Sequence, residues 1–136
     1  MLFSSSRFSS LKLVVVFCAL SIVALSCASA PADIPDGLSP AELIQRAQDS
    51  YDKDRYEQAV SYYLTLRERF PNDLPAQCAA DYEIAFIRYK QNRLEEAKAG
   101  FRTLLARYDN ADAALLPAHY QVLGEKILAK IDLEKK

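Results

Sequence analysis

Apolar side chains recur every three or four residues between residues 40 and 134, a period that predicts a series of amphipathic α-helices. The first helix is predicted to begin at Ser39, because serine can cap the free amides and Glu42 can complete a capping box. The polar run 53–55 predicts a turn, and the second helix is predicted to run from Tyr56 to the segment that begins with Pro71.

The pattern of the first two helices returns 38 residues later. The coinciding pairs are Ala47 and Ala85, Tyr51 and Tyr89, Arg55 and Arg93, Glu57 and Glu95, Ala59 and Ala97, Tyr63 and Phe101, Leu66 and Leu104, Arg69 and Arg107, Phe70 and Tyr108, and Asn72 and Asn110. Leu-Pro-Ala occurs at 74–76 and again at 116–118, where it predicts the starts of later helices. Pro75 lies further ahead of its repeat than Pro40 does, so we expect the third helix to be almost one turn longer than the first.

This pattern resembles the tetratricopeptide repeat (TPR), whose helix pairs carry small residues at close contacts and aromatic residues between helices. The matching positions are Ala47, Tyr56, Ala59, Tyr63, Leu66 and Pro71, then Ile84, Ala85, Leu94, Ala97, Phe101 and Leu104, and in a last half unit Tyr120, Leu123, Gly124 and Ile127. The resemblance implies an all-α, TPR-like α-solenoid of about five antiparallel helices, or two and a half repeats, over residues 39–136. A five-helix bundle without repeat geometry is the alternative.

The N-terminal segment is typical of a bacterial lipoprotein signal peptide. A basic flank with Arg7 and Lys12 precedes an apolar run over residues 13–26, which is short for a bilayer core of roughly 30 Å. The small residues before Cys27 resemble a lipobox, although Ala24 stands where leucine is usual. The resemblance implies a signal peptide over residues 1–26 and a diacylglyceryl group on Cys27.

Two other interpretations of this segment remain open. Ordinary secretory cleavage after 28–30 would place Pro31 first in the mature chain, and an uncleaved anchor is the third alternative. Residues 28–38 have no apolar period and contain two prolines and a glycine, which is typical of a linker. We therefore predict a lipidated tether over residues 27–38, and its eleven residues after the cysteine would reach at most about 40 Å.

Charge and cysteine content narrow the function classes. The formal net charge is −1, and the chain from Cys27 onward is slightly more acidic because Arg7 and Lys12 precede it. Positive charges are not clustered, so we predict no nucleic-acid partner. Cys78 is the one cysteine of the predicted helical domain, and we expect it to be a small buried residue rather than half of an internal disulfide.

The residues required for catalysis or for metal binding are missing from the sequence. His119 is the only histidine, which excludes a Ser-His-Asp set, a Cys-His pair and a histidine-based metal cluster. The three glycines are spread along the chain and form no phosphate-binding loop. We predict that the protein is not an enzyme and binds no cofactor or metal.

In TPR proteins the first helix of each pair lines a concave groove. The resemblance places the following residues along a partner-binding groove: Gln48, Tyr51, Asp52, Tyr82, Phe86, Tyr89, Lys90, Gln121 and Glu125. Tyr51 and Tyr89 are repeat equivalents, so filling between helices is the alternative role for both. Tyr82 and Phe86 have no aromatic counterpart in the first repeat, which favours partner binding.

Among lipidated TPR proteins, the chain resembles the BamD family of outer-membrane assembly lipoproteins. The shared features are the lipobox and tether, Ala47-x-x-x-Tyr51, Tyr56-x-x-Ala59, Arg69-Phe70-Pro71, Tyr82-x-x-Ala85 and Tyr89-Lys90. The resemblance implies a scaffold that binds envelope proteins at the periplasmic face of the outer membrane, and Ala28 after Cys27 is consistent with that membrane. The chain has about half the family's usual number of repeats, so a shorter paralogue or a separate envelope adaptor fits equally.

Three other functions remain open at this point. The first is a ligand-binding accessory lipoprotein of a transporter, and the second is a soluble periplasmic TPR adaptor. The third is a structural oligomeriser whose terminal faces pair between chains.

Overall fold

The computed structural model describes residues 33–134, which contain five α-helices and no β-strand. The helices are α1 (Pro40–Tyr51), α2 (Tyr56–Arg69), α3 (Leu74–Lys90), α4 (Leu94–Ala106) and α5 (Ala118–Glu134). Two 3-10 turns, Arg107–Asp109 and Ala111–Leu115, connect α4 to α5. The predicted signal peptide, Cys27 and most of the predicted tether lie outside the described residues.

Successive helices pack as antiparallel pairs, α1 with α2 and α3 with α4, and α5 packs mainly against α4. The prediction of an all-α, TPR-like solenoid with two and a half helix pairs is confirmed. Helix α3 has 17 residues and α1 has 12, so the first helix of the second pair is longer, as predicted.

The two repeats also coincide in their backbone turns. Asp54, between α1 and α2, has φ 56°, and Asn92, 38 residues later between α3 and α4, has φ 59°. In each turn the next amide donates a long-range hydrogen bond, from Arg55 N to the Ser50 carbonyl and from Arg93 N to the Arg88 carbonyl, both at 2.9 Å. A residue in the left-handed region after a helix is a common way to satisfy the last free carbonyls. The offset of 38 residues is therefore a property of the fold as well as of the sequence.

Side-chain caps begin the first helices of both pairs. The Glu42 amide donates to Ser39 Oγ at 3.3 Å and the Ser39 amide donates to Glu42 Oε2 at 2.9 Å, which is the predicted capping box. At the start of α3 the Ala76 amide donates to Asp73 Oδ1 at 3.0 Å. Both caps occupy amides that have no partner within the helix.

The buried side chains form two clusters that share α3. One face of α3, with Ala76, Ala80 and Ile87, packs into the cluster built by α1 and α2. Another face, with Cys78 and Ala85, packs into the cluster built with α4 and α5. Cys78 is fully buried and has a free thiol, as expected, and burial raises the pKa of that thiol. Helix α3 therefore forms the middle layer of the described domain.

Glycines mark two close helix contacts, and one differs from expectation. A Cβ at Gly100 of α4 would lie 2.8 Å from the Ala85 Cβ, so these helices touch at a small-residue pair. Gly124 was expected to be the small position that faces the second helix of its own repeat. Instead, its nearest neighbours are Leu104, Phe101 and Leu105 of the preceding helix α4. That expectation was wrong, because α5 turns its smallest residue toward the helix that it covers.

The end of the predicted tether belongs to the folded domain. Ile34 and Leu38 pack against the first core cluster. The Arg69 guanidinium donates to the Pro35 carbonyl at 2.7 Å, to the Ile34 carbonyl at 3.1 Å and to the Asp36 carboxylate at 3.1 Å. Among the described residues, the stretch 33–38 is therefore held on the end of α2 rather than free.

Candidate functional site

Aromatic rings from α1, α3 and α5 form a continuous band. The Tyr51 ring lies 6.4 Å from Phe86, the Phe86 ring lies 5.9 Å from Tyr82, and the Tyr82 ring lies 5.4 Å from Tyr120. Tyr89 extends the band, 6.4 Å from Phe86. These centroid separations are those of interacting aromatic pairs. We call these five residues the aromatic band, and it runs across the first helix of every repeat.

The members of the aromatic band differ in burial. Tyr82 is 8% exposed, and its ring also lies 5.9 Å from Phe101 of α4, so it fills the space between helices. Tyr51, Phe86 and Tyr89 are only partly buried. A partner could therefore contact these three more readily than Tyr82, whose ring forms the floor beneath them.

The predicted polar residues fall into two groups. Gln48 and Asp52 of α1 line a pocket of about 50 Å³ together with Tyr51. Lys90 is exposed at the end of α3, and the half-buried Gln121 donates to Glu125 at 3.3 Å on α5. Lys90 and Gln121 do not line the pocket, so the fold brings together only part of the predicted set.

Glu83 of α3 also lines this pocket and was missed from the sequence. Its side chain is partly buried, and burial raises the pKa of its carboxyl group. Burial first, and then the nearby charge of Glu83, raise the pKa of the phenols of Tyr51, Tyr82 and Tyr120. Glu83 therefore lies close to the aromatic band. A signal was present, because Glu83 and Asp81 are the only charged residues in the stretch 79–87.

Tyr63 and Ile87 complete the pocket wall. Tyr63 comes from α2 and is 2% exposed, and Ile87 is fully buried. Tyr63 had been assigned to the repeat core rather than to the groove. A buried tyrosine of the second helix thus reaches the surface of the first helices, which helical periodicity alone does not indicate.

A lysine of α5 lies beside the other end of the aromatic band. The Lys130 ammonium is 5.5 Å from the centroid of the Tyr89 ring, within the range of a cation–π contact. The hydrogen bond with Tyr89 raises the pKa of the Lys130 ammonium, so the group is charged at neutral pH. The two ends of the band therefore differ in charge, with Glu83 near Tyr51 and Lys130 near Tyr89.

A second pocket of about 320 Å³ lies beside Asp81, which is two residues before Glu83 in α3. Arg107 donates to the Asp81 carboxylate at 2.6 Å and Arg67 donates to it at 3.1 Å. The Asp81 side chain is only 3% exposed and is fully compensated by these two cations. Residues two apart in a helix point about 200° apart, so Asp81 and Glu83 lie on different sides of α3.

Metal and membrane sites were also sought in residues 33–134. No group of three or more His, Cys, Asp or Glu side chains in this range could hold a metal ion. None of the helices described here is long and apolar enough to cross a bilayer.

Residues 79–111, which include most of α3 and all of α4, match the family model of the tetratricopeptide repeat. The chain contains a TPR. This match supports a scaffold for protein–protein interaction, since TPR proteins are generally non-catalytic scaffolds.

A protein of Treponema pallidum (strain Nichols), described as uncharacterized, is 39% identical over 100 residues. The aligned region is 72% of this chain and 40% of that relative, so the chain spans less than half of the relative's length. No solved structure is significantly similar to the chain. The resemblance to the BamD family stays a prediction.

Proposed function

We propose that the protein is a lipid-anchored TPR scaffold that binds a protein partner in the bacterial cell envelope. The aromatic band is the observation that carries this proposal. Tyrosine and phenylalanine supply large contact areas at a small cost in side-chain entropy, and they concentrate in the energetic centres of protein interfaces. A band that crosses all three first helices offers an extended peptide or a helix one continuous track.

The proposed location is the periplasmic face of the outer membrane, with a role in outer-membrane protein assembly. Its support is the sequence around Cys27 and the resemblance to the BamD family. Because Arg69 holds the residues from Ile34 onward, the free tether between lipid and domain would be only six residues, which reach about 20 Å when extended. The aromatic band would then work close to the membrane surface.

A small-molecule accessory of a transporter is less well supported. Sites for drug-sized ligands usually enclose about 300–1,000 Å³. The pocket at the aromatic band is about 50 Å³, and the larger one is lined by the arginines that compensate Asp81.

The anchor is tested by intact mass and membrane fractionation of the protein made in its own host. We expect the wild type to carry acyl chains and to sediment with membranes, and the Cys27→Ala variant to be unacylated and released. Cys78→Ala is the matched control, because this buried cysteine should leave acylation unchanged. A soluble, unmodified wild type that begins at Pro31 would contradict the anchor and leave a periplasmic adaptor.

The binding surface is tested by site-specific photo-cross-linking in intact cells. A cross-linking amino acid at Gln48 or at Lys90 should capture one or a few discrete envelope proteins. Glu68 and Thr103, exposed positions beside the Asp81 pocket, are the matched controls and should capture none of them. Equal capture from both sides would overturn the assignment of the binding surface to the aromatic band.

A further inference from the structure

Two acidic residues of α3 have opposite surroundings. Asp81 is compensated by Arg67 and Arg107. No hydrogen bond or ion pair within residues 33–134 includes Glu83, although its carboxyl group is partly buried and its pKa is raised by burial alone. A desolvated carboxylate without a partner is costly unless a cation or a hydrogen-bond donor reaches it.

The pocket at Glu83 has the size and the lining of a cation site. Its volume of about 50 Å³ suffices for a few water molecules, and therefore for an ammonium or guanidinium group with part of its stem. The lining rings of Tyr51 and Tyr63 can attract a cation through their faces. Asp52, at the rim, adds a second negative charge.

We propose that this pocket binds a lysine or arginine side chain of the protein partner that lies along the aromatic band, and this proposal rests on the proposed function. The incoming cation would pair with the Glu83 carboxylate and would gain from the tyrosine rings beside it. The partner segment would then continue from the pocket across Tyr51 and Phe86. Charge complementarity selects this occupant, because the pocket contains two carboxylates, and no cation of the described residues lines it.

The first test uses a random heptapeptide library displayed on phage, selected separately on wild type, Glu83→Gln and Glu68→Gln. Glu68 is an exposed acid beside the Asp81 pocket and provides the matched control. We expect wild type and Glu68→Gln to enrich peptides with Lys or Arg at one fixed position next to apolar residues. Glu83→Gln should still select apolar peptides but should lose the basic position.

The second test uses two small probes, N-acetyl-arginine methylamide and its uncharged analogue N-acetyl-norleucine methylamide, followed by the NMR resonances of the Tyr51 ring. The arginine probe should shift these resonances in wild type and bind Glu83→Gln about tenfold more weakly, because a charge-assisted hydrogen bond is lost. The norleucine probe should bind both proteins equally weakly.

The outcomes separate the two proposals. Selected peptides without a preferred basic position, with equal affinity of wild type and Glu83→Gln for the arginine probe, would overturn the cation pocket and leave the scaffold function standing. Failure of every peptide and both probes to bind wild type would overturn both. Glu83→Gln removes a buried charge, so its folding should be intact, and its thermal unfolding checks this directly.

Discussion

Asn92 adopts a backbone conformation that few side chains accept. Its φ of 59° places it in the left-handed region, and it is exposed in the turn before α4. We expect Asn92→Val to lower the free energy of unfolding by about 1–2 kcal/mol, because a β-branched residue clashes with its own backbone there. Asn92→Gly should change it little. Urea denaturation measures both values.

The control for this prediction is Asn72→Val, in an exposed turn with negative φ. An equal loss in Asn72→Val and Asn92→Val would show that valine on the surface, rather than the left-handed backbone, lowers the stability.

Glu83 makes a pH-dependent contribution with a definite sign. Burial raises the pKa of its carboxyl group above the ordinary value of 4.5, so between the unfolded and folded pKa values the folded state binds more protons. This contribution lowers the free energy of unfolding as pH rises through that window. We therefore expect Glu83→Gln to be more stable than wild type at pH 7, with a difference that shrinks toward pH 4.5.

Urea denaturation of both proteins between pH 4.5 and 8 measures this difference. The carboxyl pKa values of Glu57 and Asp132 are lowered by Arg88 and Lys98, so these groups have the opposite pH dependence. They are common to both proteins and cancel in the comparison. A Glu83→Gln variant that is less stable at pH 7 would mean that the ionised carboxylate has a favourable partner in the fold.

At the scale of elements, the contact between α3 and α4 depends on Gly100. A Cβ there would lie 2.8 Å from the Ala85 Cβ, which a rigid helix pair cannot accommodate without moving apart. Overpacking costs about 1–3 kcal/mol, and replacing glycine in a helix regains about 1 kcal/mol. We expect Gly100→Ala to lower the free energy of unfolding by about 1–2 kcal/mol, as measured by thermal and urea unfolding.

Two further variants identify the cause. Adding Ala85→Gly to Gly100→Ala should relieve the clash, so the double variant should lose less than the two single losses combined. Gly124→Ala is the matched control, because its Cβ would meet only the flexible end of Leu104 at 3.2 Å, and it should be neutral or slightly stabilising. Additive losses in the double variant would show that the two helices do not collide at this point.

The helices and their repeat could be predicted because they follow from local patterns. The capping box at Ser39 and the pairing of Ala47 with Ala85 depend on spacing within one or two turns of chain. Arg69 and Arg107 are equivalent in sequence, yet Arg69 holds the residues before α1 whereas Arg107 pairs with Asp81. Such roles depend on contacts between distant segments, so periodicity did not indicate them.

The candidate site was predicted only in part for the same reason. Gln48, Tyr51 and Asp52 lie together because a single helix turn brings them together. Glu83 and Tyr63 join them through the packing of α2 and α3, which one sequence does not specify.

At the scale of the whole molecule, ion pairs connect successive helices. Glu57 of α2 pairs with Arg88 of α3 and with Arg93 before α4, and Lys98 of α4 pairs with Asp132 of α5. Pairs that are this exposed contribute about 0–1 kcal/mol each, so they adjust the orientation of helices more than they hold the domain together. The apolar clusters must therefore supply most of the stability.

The last helix closes the second of those clusters. Ile131 of α5 is fully buried, and Ile127 and Leu128 pack beside it against the cluster that contains Phe101 and Leu104. Each large apolar side chain contributes about 1.5–3 kcal/mol when fully buried. Removing the three therefore costs several kcal/mol, comparable with the total of about 5–15 kcal/mol that typically stabilises a domain. We expect a chain truncated before Pro117 to lose cooperative unfolding.

The matched control is a chain that ends at Ile131, which loses only the exposed end of α5 and the ion pair of Asp132 with Lys98. It should unfold cooperatively within about 1 kcal/mol of the full chain, since exposed ion pairs contribute little. Circular dichroism during thermal unfolding compares the three chains. If the chain truncated before Pro117 melted as sharply and at as high a temperature as the full chain, then the first two repeats would be a complete folding unit, and α5 would serve the aromatic band through Tyr120 and Lys130 rather than the core.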